Sequence, residues 1–138
     1  MDADLVRRNL ERVREEIGTE VEILAAIKYV EADDLPALAE AGIELVGENR
    51  AQDLLAKQEH HRDLFTWDFI GQLQSRKVKD VAPNVRLIHS LASDSALRRL
   101  EEHPAKEVLV QVNVGGRRAR SASTRRSWAT SSPAAPSR

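Results

Sequence analysis

The sequence of 138 residues contains no cysteine, and aromatic residues make up only 4% of it. Without thiols, a disulfide scaffold, a thiolate-ligated zinc or iron–sulfur site and a cysteine nucleophile are excluded, and a reduced cytoplasmic protein is expected. The apolar runs are far shorter than the ~20 residues that span a bilayer, which argues against a transmembrane segment. The opening stretch MDADLVRRNLERVREE is charged throughout and lacks the apolar segment of a secretory signal peptide.

The charges are distributed unevenly, although the formal net charge is only -1. Residues 1–114 contain 15 basic and 22 acidic residues, whereas residues 115–138 contain six arginines and no acid. This tail lacks Leu, Ile, Val, Phe and Met. Because it cannot bury enough apolar area to offset its ordering entropy, we predict that it is disordered. A basic tail can bind nucleic acid, but the acidic body opposes this, so a nucleic-acid partner is not expected.

Residues 1–114 alternate between short apolar runs and amphipathic stretches. An amphipathic helix is predicted over residues 2–17, ended by Gly18. The predicted strands are 21–27, 43–46, 64–70, 85–90 and 107–114, and the helices between them are 31–40, 50–58, 75–81 and 94–102, the last capped by Ser93. Strands that alternate with helices predict a parallel sheet covered by helices.

Two glycine motifs that are missing narrow the fold further. Neither GxGxxG nor GxxxxGK[ST] follows the first strand, which argues against dinucleotide-binding and phosphate-loop folds. The remaining α/β architecture is a parallel (β/α) barrel of the TIM type, which typically has eight strands and roughly 250 residues. Only five β/α units are present, so residues 1–114 are expected to form little more than half of such a barrel.

Polar residues follow the predicted strands, and in a parallel barrel these positions converge on one mouth. They are Lys28 and Tyr29, Gly47 to Asn49, Gly71 and Gln72, His89 and Ser90, and Asn113. Lys28 is the leading candidate, because a partly desolvated amine at the rim can form a Schiff base with an aldehyde. From spacing alone, a solvated lysine that merely ends an apolar strand is the stronger interpretation. Tyr29 is interpreted as a packing residue.

Two further clusters carry less weight. His60, His61 and Asp63 lie together, but adjacent histidines at a polar helix end usually face solvent, so no metal is expected. Arg76, Lys77 and Lys79 form a basic cluster that could meet an anion, although a solvated face is the simpler interpretation.

Five segments of the chain resemble, in order, the pyridoxal phosphate homeostasis proteins. They are LAAIKYV, ELVGENRAQDLLAK, WDFIGQLQSRKVKDVAP, LIHSLAS and VLVQVNV. The resemblance implies a barrel like the cofactor domain of alanine racemase, which binds pyridoxal 5'-phosphate as a Schiff base on the lysine of the first strand. That lysine corresponds to Lys28. The resemblance also places Asn49 beside the cofactor and, more weakly, His89 near its ring.

The resemblance implies a carrier or buffer of the cofactor rather than an enzyme. A Schiff base activates no substrate until an acid–base pair brackets its Cα, and the sequence offers only Tyr29 and His89 as candidates. The alternative is a pyridoxal-phosphate-dependent enzyme of the alanine racemase or decarboxylase class. A full-length member of the family is expected to be a monomer, while the oligomeric state of this chain stays open.

The resemblance ends after Gly116. The family continues with three further strands and a late Ser/Gly-containing stretch that holds the cofactor phosphate, whereas this chain continues as RRARSASTRRSWATSSPAAPSR. Five strands cannot close an eight-stranded barrel, so an open sheet edge is expected. Charge-assisted hydrogen bonds to phosphate are strong, and without them we expect pyridoxal phosphate to bind this chain weakly or not at all.

The composition of the tail predicts a frameshift at about Arg117. Arg, Ala, Ser and Pro are encoded by GC-rich codons, so a shifted frame in a GC-rich gene produces this kind of sequence. Resequencing the locus and translating the other frames is expected to recover further barrel strands. If no frame recovers them, the hypothesis is wrong.

Overall fold

The computed structural model describes residues 1–112. The predicted disordered tail, 115–138, and the candidate Asn113 lie outside the described residues. The chain begins with helix α1 (Ala3–Ile17), whose first turn is capped by Asp2: its carboxylate accepts hydrogen bonds from the backbone N–H groups of Asp4 and Leu5 at 2.9 and 3.2 Å. Gly18 ends the helix with φ of +83°, a conformation that favours glycine.

Five parallel strands and four further helices follow α1. The strands are β1 (Leu24–Ala26), β2 (Leu45–Glu48), β3 (Thr66–Phe69), β4 (Leu87–Leu91) and β5 (Val108–Val110). The helices are α2 (Leu35–Glu40), α3 (Ala51–His61), α4 (Val78–Val81) and α5 (Asp94–Glu102), and short 3₁₀ turns flank several of them. The strands lie in the order β1-β2-β3-β4-β5, and every adjacent pair is parallel. This order lacks the reversal of a doubly wound sheet and is the order of a (β/α) barrel.

The hydrophobic core lies between the sheet and its helices. Val46, Trp67, Phe69 and Ile88 point from the strands into a cluster that also contains Leu35, Leu54, Val78 and Ala96 from the helices. Because strand side chains alternate, the intervening residues of β2, β3 and β4 point to the opposite face. The sheet therefore has one face packed on helices and a second face that carries polar side chains.

The predicted α/β class and parallel sheet are confirmed, but several boundaries were wrong. The β2 strand begins and ends two residues later than predicted, so Glu48 belongs to the strand instead of following it. The β4 strand extends through Leu91, so His89 and Ser90 lie within it rather than after it. Of the five expected β/α units, the fifth is described only by its strand. Among the described residues no helix is long and apolar enough to cross a membrane.

The N-cap of α5 offers a direct test of the local structure. The Ser93 hydroxyl accepts a hydrogen bond from the Ala96 N–H at 3.1 Å, as the sequence predicted. Ser93→Ala is expected to lower the free energy of unfolding by about 1 kcal/mol, and Ser93→Gly by only a few tenths, because glycine leaves the cap open to water. Urea unfolding followed by circular dichroism measures both. A larger loss for glycine than for alanine would contradict the cap.

Candidate functional site

One register row crosses four strands of the sheet. It consists of Ala26, Gly47, Asp68 and Leu87. Lys28 lies two residues after the row in β1, in a turn closed by the hydrogen bond from the Val30 N–H to the Ile27 carbonyl at 3.0 Å, and Asn49 lies two residues after the row in β2. His89 lies two residues after the row within β4. Adjacent strands lie about 4.8 Å apart, so Lys28 and Asn49 follow the ends of neighbouring strands, whereas β4, which contains His89, is three strand spacings, roughly 14 Å, from β1.

Lys28 lies two residues after the end of β1, and its side chain is exposed. Its Nζ lies 5.2 Å from the centre of the Tyr29 ring, a weak contact in solvent. Tyr29 is itself 88% exposed and does not pack within residues 1–112, so its interpretation as a packing residue was wrong. Because the Lys28 side chain is exposed, residues 1–112 do not provide the partial desolvation that was expected for its amine. Its amine is open to a ligand that approaches from solvent.

Asn49 is half-buried and is held by the residue before it. Its backbone N–H donates to Oε1 of Glu48 at 2.8 Å. The Glu48 side chain is fully buried on the helix side of β2. A buried carboxylate is costly unless it is paired and hydrogen-bonded, so this side chain requires further partners.

Lys57, in α3, supplies the second partner of Glu48. Its Nζ lies 2.7 Å from Glu48 Oε2 and donates to the carbonyl oxygen of Ile27, also at 2.7 Å. Both side chains are buried. Because Ile27 immediately precedes Lys28 and Glu48 immediately precedes Asn49, one ion pair connects α3 to the ends of two adjacent strands.

Gly71 fixes the other side of Asn49. A Cβ at this position would collide with the backbone oxygen, carbonyl carbon and Cα of Asn49. The preceding residue, Ile70, donates its N–H to the Glu48 carbonyl at 2.9 Å. The loop after β3 therefore lies directly on the backbone of Asn49, and only glycine permits this approach.

His89 belongs to a separate network centred on Asp68. The fully buried Asp68 carboxylate accepts two hydrogen bonds from Arg86, from Nε at 3.0 Å and from Nη2 at 2.7 Å, and it lies 2.9 Å from His89 Nε2. Hydrogen bonding to Asp68 raises the pKa of Arg86 above its ordinary value, against the opposing effect of burial. Glu22 adds an exposed ion pair to Arg86 at 3.2 Å. This network orients the His89 ring and occupies one of its nitrogens.

A cavity of about 310 Å³ opens beside Asn49. Three cationic side chains line it, those of Arg50, Arg76 and Lys77, and no acidic residue does. Of the basic cluster predicted from the sequence, Lys79 does not line the cavity. A larger cavity, of about 580 Å³, lies at the opposite, amino end of the strands and contains none of the predicted site residues.

The predicted absence of a metal site concerned His60 and His61, which occupy the last turn of α3. Their ring centroids are 6.4 Å apart. Among residues 1–112 no group of three or more His, Asp or Glu side chains could hold a metal ion.

Sequence reasoning missed the charged residues that support the row. Lys57 lies on a predicted helix, where nothing in the sequence pattern distinguishes it from a surface lysine. Its partner, Glu48, was expected to follow the strand. Asp68 and Arg86 left a signal: each is a single charge within an apolar strand, the former between Trp67 and Phe69. Lone charges in buried strands are normally paired, so they could have been predicted to meet.

No family model matches the chain. Among curated proteins, the pyridoxal phosphate homeostasis protein of Aquifex aeolicus is 39% identical over 100 residues, covering 68% of this chain and 44% of the relative. The pyridoxal phosphate homeostasis protein of Pseudomonas aeruginosa is 35% identical over 107 residues, covering 73% of this chain and 46% of the relative. The chain thus spans about half the length of the curated relatives it matches.

The chain is also similar to solved structures. PipY of Synechococcus elongatus, determined with PLP bound, is 31% identical with a TM-score of 0.65, covering 70% of this chain and 47% of that protein. The same protein without PLP is 26% identical with a TM-score of 0.72, covering 85% of this chain and 58% of that protein. A protein of unknown function from Bifidobacterium adolescentis is 31% identical with a TM-score of 0.68, covering 87% and 58%.

The contact between Gly71 and Asn49 predicts a selective effect of one methyl group. Gly71→Ala is expected to lower the free energy of unfolding by about 1–3 kcal/mol, because the new Cβ meets backbone that cannot rotate away. Gln72→Ala, at the exposed neighbouring position, is the control and is expected to change it by less than about 0.5 kcal/mol. Urea unfolding measures both variants. Equal stability of Gly71→Ala and the parent protein would show that the approach is not close.

Proposed function

The chain belongs to the pyridoxal phosphate homeostasis protein family, and on that premise we propose that it binds pyridoxal 5'-phosphate through Lys28 as a non-catalytic cytoplasmic carrier. The observation that carries the proposal is the exposed Lys28 amine, which lies beyond the carboxyl end of β1, next to the strand that Asn49 follows. In parallel α/β folds this edge is where ligands bind. Asn49 is proposed to lie beside the cofactor, and His89 further along the same face.

The chemistry asked of the chain is a single condensation. When bound, the cofactor would supply an aldehyde carbon, and the Lys28 amine would hold the cofactor at that carbon, with water as the leaving group. Among residues 1–112, the Lys28 side chain makes no hydrogen bond or ion pair, and its one recorded contact is with the Tyr29 ring. Its nitrogen is therefore accessible for this reaction.

The second lysine near the same strand end is unsuited to the role. The ammonium of Lys57 is buried and is held by Glu48 and by the carbonyl of Ile27, both at 2.7 Å. To react, it would have to leave an uncompensated buried carboxylate, which is strongly unfavourable. The environments of the two amines thus favour Lys28.

A carrier is favoured over a racemase or decarboxylase by the surroundings of the row. Reaction of a bound substrate needs an acid and a base at hydrogen-bond distance from its Cα. Of the two candidates, Tyr29 is directed into solvent and His89 is already bonded to Asp68. Among residues 1–112, these two side chains therefore do not form the acid–base pair that a racemase requires.

Binding is proposed to be weak. In the family the phosphate is held by a late segment that has no counterpart in this sequence. Among residues 1–112, the proposed site relies on Lys28 and Asn49, and neither offers a charge-assisted hydrogen bond to a phosphate once the Lys28 amine is used for the covalent link. Retention through the covalent link is then the main source of specificity.

Titration of the purified chain with pyridoxal 5'-phosphate, followed by visible absorbance, tests the proposal. A Schiff-base band is expected for the parent protein and for Lys79→Ala, in which an exposed lysine outside the row is removed. Lys28→Ala is expected to lose the band, because it lacks the reacting amine.

Two results would contradict this proposal. A band retained in Lys28→Ala would place the link on another amine. Turnover of alanine or another amino acid by the purified protein, lost in Lys28→Ala, would favour the enzyme alternative.

A further inference from the structure

We propose that the buried Glu48–Lys57 pair is a positioning device for the cofactor site, setting the relative placement of Lys28 and Asn49. This inference deepens the proposed function and rests on it. Neither Glu48 nor Lys57 touches the face on which the cofactor is proposed to lie. Each acts through the residue that it holds.

The pair makes one contact within itself and two outward contacts, one to each strand end. Lys57 Nζ donates to the carbonyl of Ile27, the residue before Lys28. Glu48 Oε2 pairs with the same Nζ. Glu48 Oε1 accepts the backbone N–H of Asn49. The distances are 2.7, 2.7 and 2.8 Å.

These contacts replace strand pairing where the strands end. The β1 strand ends at Ala26, and its ladder to β2 closes with the bond from Ile27 N–H to the carbonyl of Gly47 at 3.0 Å. Beyond that point no backbone hydrogen bond joins Lys28 to Asn49 within residues 1–112. The side-chain pair therefore takes over where the ladder stops, and α3 supplies the connection.

Burial explains why this connection is rigid. Glu48 is fully buried and Lys57 is 8% exposed, so both charges depend on each other for compensation. A displacement of Lys57 would leave the carboxylate with an unpaired oxygen in an apolar environment. Hydrogen bonds in such surroundings are stronger than in water, which holds the three contacts together as one unit.

Glu48→Gln is the variant that separates positioning from general stability. Glutamine keeps the shape but has only one acceptor oxygen, so it can serve either Asn49 or Lys57 and not both. Val81→Ala, in the core contributed by α4, is the matched control, because it removes buried apolar volume and no polar contact of the site. Both proteins are studied as the full 138-residue chain.

Two measurements are made on each variant at the same urea-free condition. Amide hydrogen exchange of Asn49 is expected to accelerate in Glu48→Gln beyond the global change in stability, and to follow the global change in Val81→Ala. Affinity for pyridoxal 5'-phosphate, measured by absorbance, is expected to fall by about tenfold or more in Glu48→Gln, since hydrogen bonds to charged groups contribute strongly. In Val81→Ala it is expected to stay within about twofold once the unfolded fraction is subtracted.

The outcomes distinguish this inference from the proposed function. If both variants lose affinity only in proportion to their unfolded fraction, or if Asn49 exchange in Glu48→Gln follows global stability, the pair is merely structural and the inference is overturned. If the parent protein forms no Schiff base at all, the proposed function fails, and the exchange of Asn49 alone then decides whether Glu48 positions the strand end. Should Glu48→Gln not fold, Lys57→Gln replaces it, with exchange and affinity expected to change in the same direction.

Discussion

Parallel pairing of five consecutive strands is the constraint on which the rest of the structure depends. With every neighbour parallel and in chain order, all carboxyl ends meet at one edge of the sheet. The connecting helices cover one face, and side-chain alternation then assigns Val46 and Trp67 to the core and Asp68 to the opposite face. The same register places Lys28 and Asn49 just beyond the ends of adjacent strands, with His89 in β4. The site is thus a consequence of topology before any individual contact is considered.

Buried charge then refines what topology provides. Two carboxylates, Glu48 and Asp68, are completely buried. Glu48 immediately precedes Asn49, and Asp68 lies 2.9 Å from His89 Nε2. Glu48 is paired with a lysine on the helix face, whereas Asp68 is paired with Arg86 and His89 on the other face. Removing either partner would leave an uncompensated charge, so both pairs resist displacement. The Glu48–Lys57 pair leaves the Lys28 amine exposed, whereas the Asp68 network occupies one nitrogen of the His89 imidazole.

The sequence predicted the architecture well because its information is periodic. Apolar runs between amphipathic stretches predicted the five strands, and Ser93 predicted a helix start to the residue. Positions that depend on long-range contacts were harder: Glu48 was expected to follow the strand, although β2 continues through it. The exposure of Tyr29 was missed because adjacency to a strand end does not determine which way a side chain points. Lys57 could not be predicted as a site residue, since only the packing of α3 against β2 brings it to the strand end.

The central claim is that Lys28, rather than another of the chain's amines, is the residue that holds pyridoxal 5'-phosphate. Incubation of the purified chain with the cofactor, reduction with borohydride and peptide mass spectrometry would locate the link directly. The account predicts the reduced adduct on the peptide that contains Lys28, with Lys57 unmodified because its ammonium is buried against Glu48. An adduct on Lys57, on the half-buried Lys77 or on the exposed Lys79, with Lys28 unmodified, would contradict it.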